Sequence, residues 1–170
     1  MAAPAALEIE TPSAEQTRAL AAALAAVALA GDRLALVGPL GAGKTQFAKG
    51  FAVGLGIDAV VNSPSFTLMA EYAGRLPLFH QDLYRLAGAD EALAGGLLDE
   101  RQAAGVTLTE WAERLPVALD PDRFTVRFVV LDEDHRRIAL LPGSGAHARY
   151  LEAAREWADA AATQTAGEGR

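Results

Sequence analysis

The chain has no cysteine among its 170 residues, so disulfide bonds and thiolate metal sites are both excluded. Positive charge is also scarce: 15 lysines and arginines stand against 22 aspartates and glutamates, for a formal net charge of -7. Because nucleic acids are held mainly by clustered lysine and arginine, this balance argues against direct binding of RNA or DNA.

Long hydrophobic runs are missing as well. The longest, residues 19–30, is much shorter than the ~20 residues that a membrane-spanning helix needs, and alanine dilutes its leucines. The first six residues carry none of the positive charge that opens a secretory signal. We expect a cytoplasmic protein with one domain at residues 1–162 and a disordered tail at residues 163–170.

The three histidines, His80, His135 and His147, are far apart and have no metal-ligand spacing. A metal centre built on histidine is therefore not expected. His80 lies two residues before Asp82, and two interpretations remain open for it: it lines a site, or it is a partly buried structural residue.

The strongest pattern that is present is GPLGAGKT at residues 38–45, which satisfies the phosphate-loop motif. It follows the apolar run 34–37, which predicts a buried strand, and precedes residues 46–53, where Phe47 and Phe51 stand one helical turn apart. Strand, loop and helix occur in the required order, which argues against a chance glycine-rich turn.

In a phosphate loop, backbone N–H groups surround phosphate oxygens at the positive end of the following helix. Lys44 would reach the β and γ phosphates, and the Thr45 hydroxyl would ligate Mg²⁺. The expected ATP contacts from this region are Gly38, Gly41, Ala42, Gly43, Lys44, Thr45 and Gln46.

Two further apolar runs end in a carboxylate, Asp82 after residues 76–81 and Glu110 after residues 106–109. Ligands of parallel sheets lie at the carboxyl ends of the strands, so one acid is expected to hold Mg²⁺ and the other to orient the attacking water. Two alternatives stay open: Asp82 only caps the turn that follows it, and Glu110 is an exposed strand-end carboxylate.

A hydroxyl-rich loop, NSPSFT at residues 62–67, follows the phosphate loop at a short distance. Nucleotide hydrolases often have a switch segment there, which makes Ser63, Ser65 and Thr67 candidate sensors of the γ phosphate or Mg²⁺. An ordinary connection into a strand at residues 67–72 is the alternative.

The remaining segments complete an α/β pattern. The expected fold is a P-loop NTPase-like, mostly parallel sheet flanked by helices, with an antiparallel hairpin appended near the C-terminus. The predicted elements are an edge strand at 7–10, a helix capped by Ser13 that runs to about Ala30, two short helices at 89–100 broken at glycines 95 and 96, hairpin strands at 124–130 and 137–141, and a helix at 147–162.

Four blocks of the sequence resemble the bacterial TsaE family, formerly called YjeE, the ATPase component of tRNA threonylcarbamoyladenosine synthesis. They are residues 38–47, SPSFTL at 63–68, HQDLYRL at 80–86 and LTEW at 108–111. Any phosphate-loop protein could supply the first block, whereas the last two are much more specific. The resemblance covers roughly residues 7–141.

This resemblance implies a Mg²⁺-dependent ATPase that binds the TsaD and TsaB subunits and supports turnover of that complex by ATP binding and slow hydrolysis. tRNA would be contacted only indirectly, through the complex. The implied catalytic residues are Lys44, Asp82 and Glu110, and the implied metal ligands are Thr45 and Glu110. Nucleotide contacts are also implied for Glu15, Thr17 and Arg136.

One departure from the family lies inside the phosphate loop, where Pro39 replaces an acidic residue that is common in the family. Proline has no amide N–H, so a contact made by the missing acid or by that amide is lost. We expect phosphate binding to survive, because the amides of residues 41–45 remain.

Two other functions stay open on the sequence. A small-molecule kinase also has a phosphate loop, although no arginine pair in a glycine-rich lid follows Glu110. A nucleotide-gated binding module, in which hydrolysis is incidental, belongs to a different class. A GTPase is disfavoured, because no Asn-Lys-x-Asp motif for guanine occurs.

Overall fold

The computed structural model describes residues 2–88, 90–91 and 96–169. Within them lies one mixed sheet of seven strands in the order β1-β7-β6-β2-β5-β4-β3. The strands are β1 (Leu7–Thr11), β2 (Arg33–Val37), β3 (Met69–Tyr72), β4 (Leu78–Asp82), β5 (Val106–Glu110), β6 (Phe124–Val130) and β7 (Arg136–Leu141).

The four central strands, β6, β2, β5 and β4, are parallel to one another, and β1, β7 and β3 pair antiparallel at the edges. The predicted hairpin exists as β6 and β7. However, β6 also pairs in parallel with β2, so it belongs to the centre of the sheet and not to an appendage. The prediction of an edge strand at residues 7–10 is confirmed by β1.

The first helix, α1 (Ala14–Ala25), begins as predicted, because the Ser13 Oγ accepts a hydrogen bond from the Gln16 N–H at 3.2 Å. It ends five residues earlier than the predicted Ala30. The N–H groups of Val27 and Ala28 bond to carbonyls only three residues back, which tightens the chain out of the α-helical pattern.

The second and third helices, α2 (Lys44–Gly54) and α3 (Ala148–Glu168), pack on the same face of the sheet as α1. Phe47 of α2 meets Phe128 of β6 edge to face, with ring centroids 5.9 Å apart. Four residues earlier in β6, Phe124 lies 4.8 Å from Tyr150 of α3. The predicted packing of Phe47 and Phe51 is confirmed, since both are fully buried.

On the opposite face of the sheet, the described residues form no long helix. The Gln81 side-chain amide donates to the carbonyl of Leu97 at 2.7 Å, and a 3₁₀ helix follows at Glu100–Ala104. The sequence predicted two short helices over residues 89–100. Residues 89 and 92–95 lie outside the described residues; of the rest, residues 90–91 are helical, whereas residues 96–98 form a turn in place of a second helix.

The C-terminal helix corrects the prediction of a disordered tail from residue 163. In the structure α3 continues to Glu168. The hydroxyls of Thr163 and Thr165 donate to carbonyls four residues back, each at 3.0 Å, so these threonines follow the helical pattern. Among the described residues, no helix combines the length and hydropathy needed to span a membrane.

Two glycines bring α2 against α1. A Cβ added at Gly50 would lie 2.2 Å from the carbonyl oxygen of Arg18, and one at Gly54 would lie 2.6 Å from that of Ala22. Real side chains do not approach backbone this closely, so only glycine permits the contact. The contact holds α2 against α1. Because the phosphate loop leads directly into the first turn of α2, the contact also fixes the position of the loop.

We expect Gly50→Ala to lower the free energy of unfolding by about 2–3 kcal/mol, because α1 and α2 must separate to admit the methyl group. Gly167→Ala is the matched control, since it makes the same change near the end of α3 in open space. It should raise stability by up to about 1 kcal/mol, because alanine is the better helix former. Urea unfolding measures both, and equal effects would contradict the steric explanation.

Candidate functional site

The phosphate loop joins β2 to α2 and borders a cavity of about 510 Å³. Gly43 directly precedes α2 with φ at 107°, a left-handed conformation that residues with a Cβ rarely adopt. Glycine also has no side chain to cap the helix. The first N–H groups of α2 are therefore available to an anion in the cavity.

Lys44 is aimed along this loop and is only 5% exposed. Its ammonium donates to the carbonyls of Gly38 and Pro39, the latter at 3.0 Å, and lies 3.9 Å from the centre of the Trp111 ring. Burial lowers the pKa of Lys44, while the carboxylates of Glu113, Glu110 and Asp82 act in the opposite direction. The Lys44 ammonium is shielded from water and bonded to carbonyl oxygens, which phosphate oxygens can replace as stronger, charged acceptors.

Glu110 ends β5, and the strand register places it directly beside Asp82 at the end of β4. It is 2% exposed, so the alternative of an exposed strand-end carboxylate is wrong. The Thr45 hydroxyl donates to Oε1 of Glu110 at 2.9 Å. His80 Nε2 lies 2.6 Å from the other oxygen, Oε2.

Asp82 is 4% exposed and uses its two oxygens in different directions. Oδ1 accepts from the Tyr84 backbone N–H at 2.9 Å, which is the turn-capping role. Oδ2 accepts from the Ser63 hydroxyl, which belongs to the hydroxyl-rich loop. The carboxylate therefore caps the turn and also borders the cavity, so capping is not its only contact.

The hydroxyl-rich loop reaches the cavity with two of its three candidate sensors. Ser63 and Ser65 line the cavity, whereas Thr67 is exposed and its hydroxyl lies 3.4 Å from the carbonyl of Met69. The strand after the loop begins at Met69 and not at Thr67, because Leu68 adopts a left-handed backbone with φ at 67°. Thr67 is thus not among the residues that line the cavity.

The three nucleotide contacts implied outside the motif are placed differently. Arg136 and Thr17 border a small hollow of about 110 Å³ behind the loop, and Arg136 donates to the carbonyls of Gly41 at 3.2 Å and Ala42 at 3.0 Å. Glu15 instead lines a separate hollow beside Trp157. The structure therefore brings Arg136 and Thr17 to the loop and leaves Glu15 apart from it.

Several residues that line the cavity were not singled out as site residues by the sequence. They are Leu40, Tyr84, Arg85 and Trp111. The rings of Tyr84 and Trp111 lie 5.0 Å apart and close one side of the cavity. A signal was available, since Trp111 adjoins Glu110 and Tyr84 lies two residues after Asp82.

The residues at the cavity fit a magnesium ion held together with a nucleotide. Among the described residues no group of three histidines or acids could hold a metal alone. Magnesium at phosphate sites takes one or two carboxylates, and the phosphates and water complete its shell. Thr45 and Glu110 supply one hydroxyl and one carboxylate, already in contact.

A sequence model of the threonylcarbamoyl adenosine biosynthesis protein TsaE matches residues 11–138 of this chain. The chain belongs to the TsaE family. The TsaE protein of Bacillus subtilis is 45% identical over 133 residues, which cover 78% of this chain and 83% of that protein. The TsaE protein of Treponema pallidum is 42% identical over 110 residues, which cover 65% of this chain and 82% of that protein.

The crystal structure of YdiB from Bacillus subtilis has the same fold, with a TM-score of 0.67 and 38% identity over 92% of this chain and 96% of that one. The expected P-loop NTPase-like α/β fold is confirmed by this likeness and by the observed sheet. As a member of the TsaE family, the chain takes part in tRNA threonylcarbamoyladenosine biosynthesis.

The contact between Ser63 and Asp82 can be tested by stability. Ser63→Ala should lower the free energy of unfolding by about 1 kcal/mol, because Asp82 Oδ2 loses its donor inside a nearly buried site. Thr67→Ala removes a hydroxyl of the same loop that is exposed and weakly bonded, and should change stability by less than about 0.5 kcal/mol. Urea unfolding at neutral pH gives both values, and a neutral Ser63→Ala would count against the contact.

Proposed function

We propose that this TsaE-family chain is a Mg²⁺-dependent ATPase that acts in the cytoplasm in tRNA threonylcarbamoyladenosine modification. It binds the TsaD and TsaB subunits and supports repeated turnover of their complex by ATP binding and slow hydrolysis. The observation that carries the proposal is the convergence of Lys44, Thr45, Asp82 and Glu110 on one cavity at the start of α2.

The phosphates of ATP would lie against the amides of residues 41–46 and the ammonium of Lys44. Support comes from the open helix end after Gly43 and from the burial of Lys44, which strengthens its attraction for phosphate. Phosphoryl transfer to water is mainly a matter of positioning and charge stabilisation, which these groups provide.

Thr45 and Glu110 would hold Mg²⁺, which neutralises charge on the phosphates. Asp82 lies beside Glu110 across the two parallel strands and faces the same cavity. From there its carboxylate would orient the attacking water. Its bond from Ser63 links that role to the hydroxyl-rich loop, as a switch segment requires.

A protein partner is favoured over RNA at the rim of this cavity. Two large apolar side chains near it, Leu40 and Phe66, are 81% and 82% exposed. Exposed apolar groups next to a functional site are typical of protein contacts, whereas direct RNA binding is disfavoured by the net charge of -7. tRNA would therefore be reached through TsaD and TsaB.

Lys44→Ala should reduce ATP hydrolysis by roughly 100-fold or more, because the loop loses the cation that stabilises the transferred phosphoryl group. Lys49→Ala is the matched control, since Lys49 is the only other lysine of the chain and lies one turn further along α2. It should hydrolyse ATP at the rate of the unmodified protein. Normal hydrolysis by Lys44→Ala would refute the proposed site.

Asp82→Asn separates hydrolysis from binding. We expect this variant to bind ATP with little loss but to hydrolyse it roughly 100-fold more slowly, because the amide cannot accept a proton from water. In a reconstituted reaction with TsaD, TsaB and tRNA, modification should then stop after few turnovers. Asp58→Asn makes the same change at an exposed position and should behave normally.

The reconstituted reaction also distinguishes the alternative functions. Full tRNA modification by Asp82→Asn, despite its slow hydrolysis, would identify the chain as a nucleotide-gated binding module. Transfer of phosphate to a metabolite in preference to water would identify a kinase.

A further inference from the structure

We propose that His80 is a positioning residue, which holds the carboxylate of Glu110 in the orientation that binds Mg²⁺. The inference rests on the proposed function, because it takes Glu110 as a metal ligand. His80 itself would touch neither the nucleotide nor the metal.

The strand pattern brings His80 to Glu110. His80 and Asp82 are two residues apart in β4, so their side chains point to the same face of the sheet. In the parallel register His80 lies beside Leu108, and Glu110 is two residues further along β5. The imidazole therefore lies two residues further from the carboxyl ends of the strands than the two acids, on the same face of the sheet.

The contact itself is short and fully enclosed. His80 is 0% exposed, and its Nε2 lies 2.6 Å from Oε2 of Glu110. A carboxylate that binds Mg²⁺ is ionised and only accepts hydrogen bonds, so the proton of this bond lies on Nε2. The carboxylate is then held at both oxygens, by Thr45 on one side and by His80 on the other.

The second ring nitrogen, Nδ1, indicates that His80 does more than fill space in the core. Nδ1 of His80 is buried and has no hydrogen-bond partner among the residues that the structure describes. Burying an unpaired polar atom is unfavourable, and an apolar ring would fill the same space without that cost. The polar contact of His80 with Glu110 offsets this disadvantage, which points to a role in holding the carboxylate.

A role in metal binding follows from the two partners of Glu110. Thr45 lines the cavity, whereas His80 does not, so the bond from His80 would remain in place when a metal ion binds at Thr45 and Glu110. Side chains that orient metal ligands in this way typically change metal affinity by about 10–100-fold when they are removed.

The test compares two amides of different length. His80→Gln can present an N–H close to the position of Nε2, whereas the shorter His80→Asn ends near the position of Nδ1 and cannot reach Glu110. Affinity for a fluorescent ATP analogue is measured across a Mg²⁺ titration and also in EDTA. Mg²⁺ should increase the affinity of the protein for the analogue. We expect His80→Asn to need about 10–100-fold more Mg²⁺ for the same increase in affinity, and His80→Gln to resemble the unmodified protein. In EDTA, the unmodified protein and both variants should bind the analogue with the same affinity.

Thr109→Val is the control for lost stability. It removes a buried hydrogen bond, from Thr109 Oγ1 to Gln81 Oε1 at 3.0 Å, on the opposite face of the same strands. The change should lower the unfolding temperature without altering the Mg²⁺ requirement. If His80→Asn keeps the normal Mg²⁺ requirement, the inference is overturned and the proposed function stands. If Mg²⁺ fails to tighten nucleotide binding by the unmodified protein, both are overturned.

A measurement on the unmodified protein keeps the inference testable if the variants do not fold. The chain has only three histidines, so the imidazole ¹⁵N resonances can be assigned one by one. Addition of Mg²⁺ to the nucleotide-bound protein should shift the Nε2 resonance of His80 and leave that of His147, which packs on Phe124 at the opposite end of the strands, in place. A His80 resonance that does not respond to Mg²⁺ overturns the inference.

Discussion

The hydrogen bond between Thr45 and Glu110 is the contact on which the site depends, because it joins the first turn of α2 to the end of β5. Its geometry rests on packing elsewhere. Phe47 and Phe51 fix α2 on the sheet, and the close approach at Gly50 fixes the same helix against α1. A shift of α2 by the width of one methyl group would separate these two side chains and displace the phosphate loop with them.

Electrostatics at the cavity depend on the same arrangement. One buried cation, Lys44, shares the cavity with two buried carboxylates, Asp82 and Glu110. Buried charges are costly unless each finds partners, and here the partners are loop carbonyls, hydroxyls and a histidine. Lys44 and the exposed Arg85 together balance the two carboxylates of the cavity lining, so the charge of bound phosphates would still require a divalent cation.

Predictions from local pattern were accurate where one segment decides its own structure. Strands β5 and β6 have the predicted bounds, since continuous or alternating apolar residues between breakers leave few other choices. The ends of the helices were less accurate. Alanine and threonine are compatible with both coil and helix, so the early end of α1 and the extension of α3 to Glu168 depend on turn geometry and on neighbouring chain.

The sequence by itself determined the phosphate loop, the two strand-end acids and the family, because each depends on residue order over short spans. Only the tertiary structure decided which side chains meet. It turned Thr67 outward, set Glu15 apart from the loop and buried His80 against Glu110. These outcomes depend on which strands pair and in what register, and pairing between segments 30 to 65 residues apart leaves no signature in either segment alone.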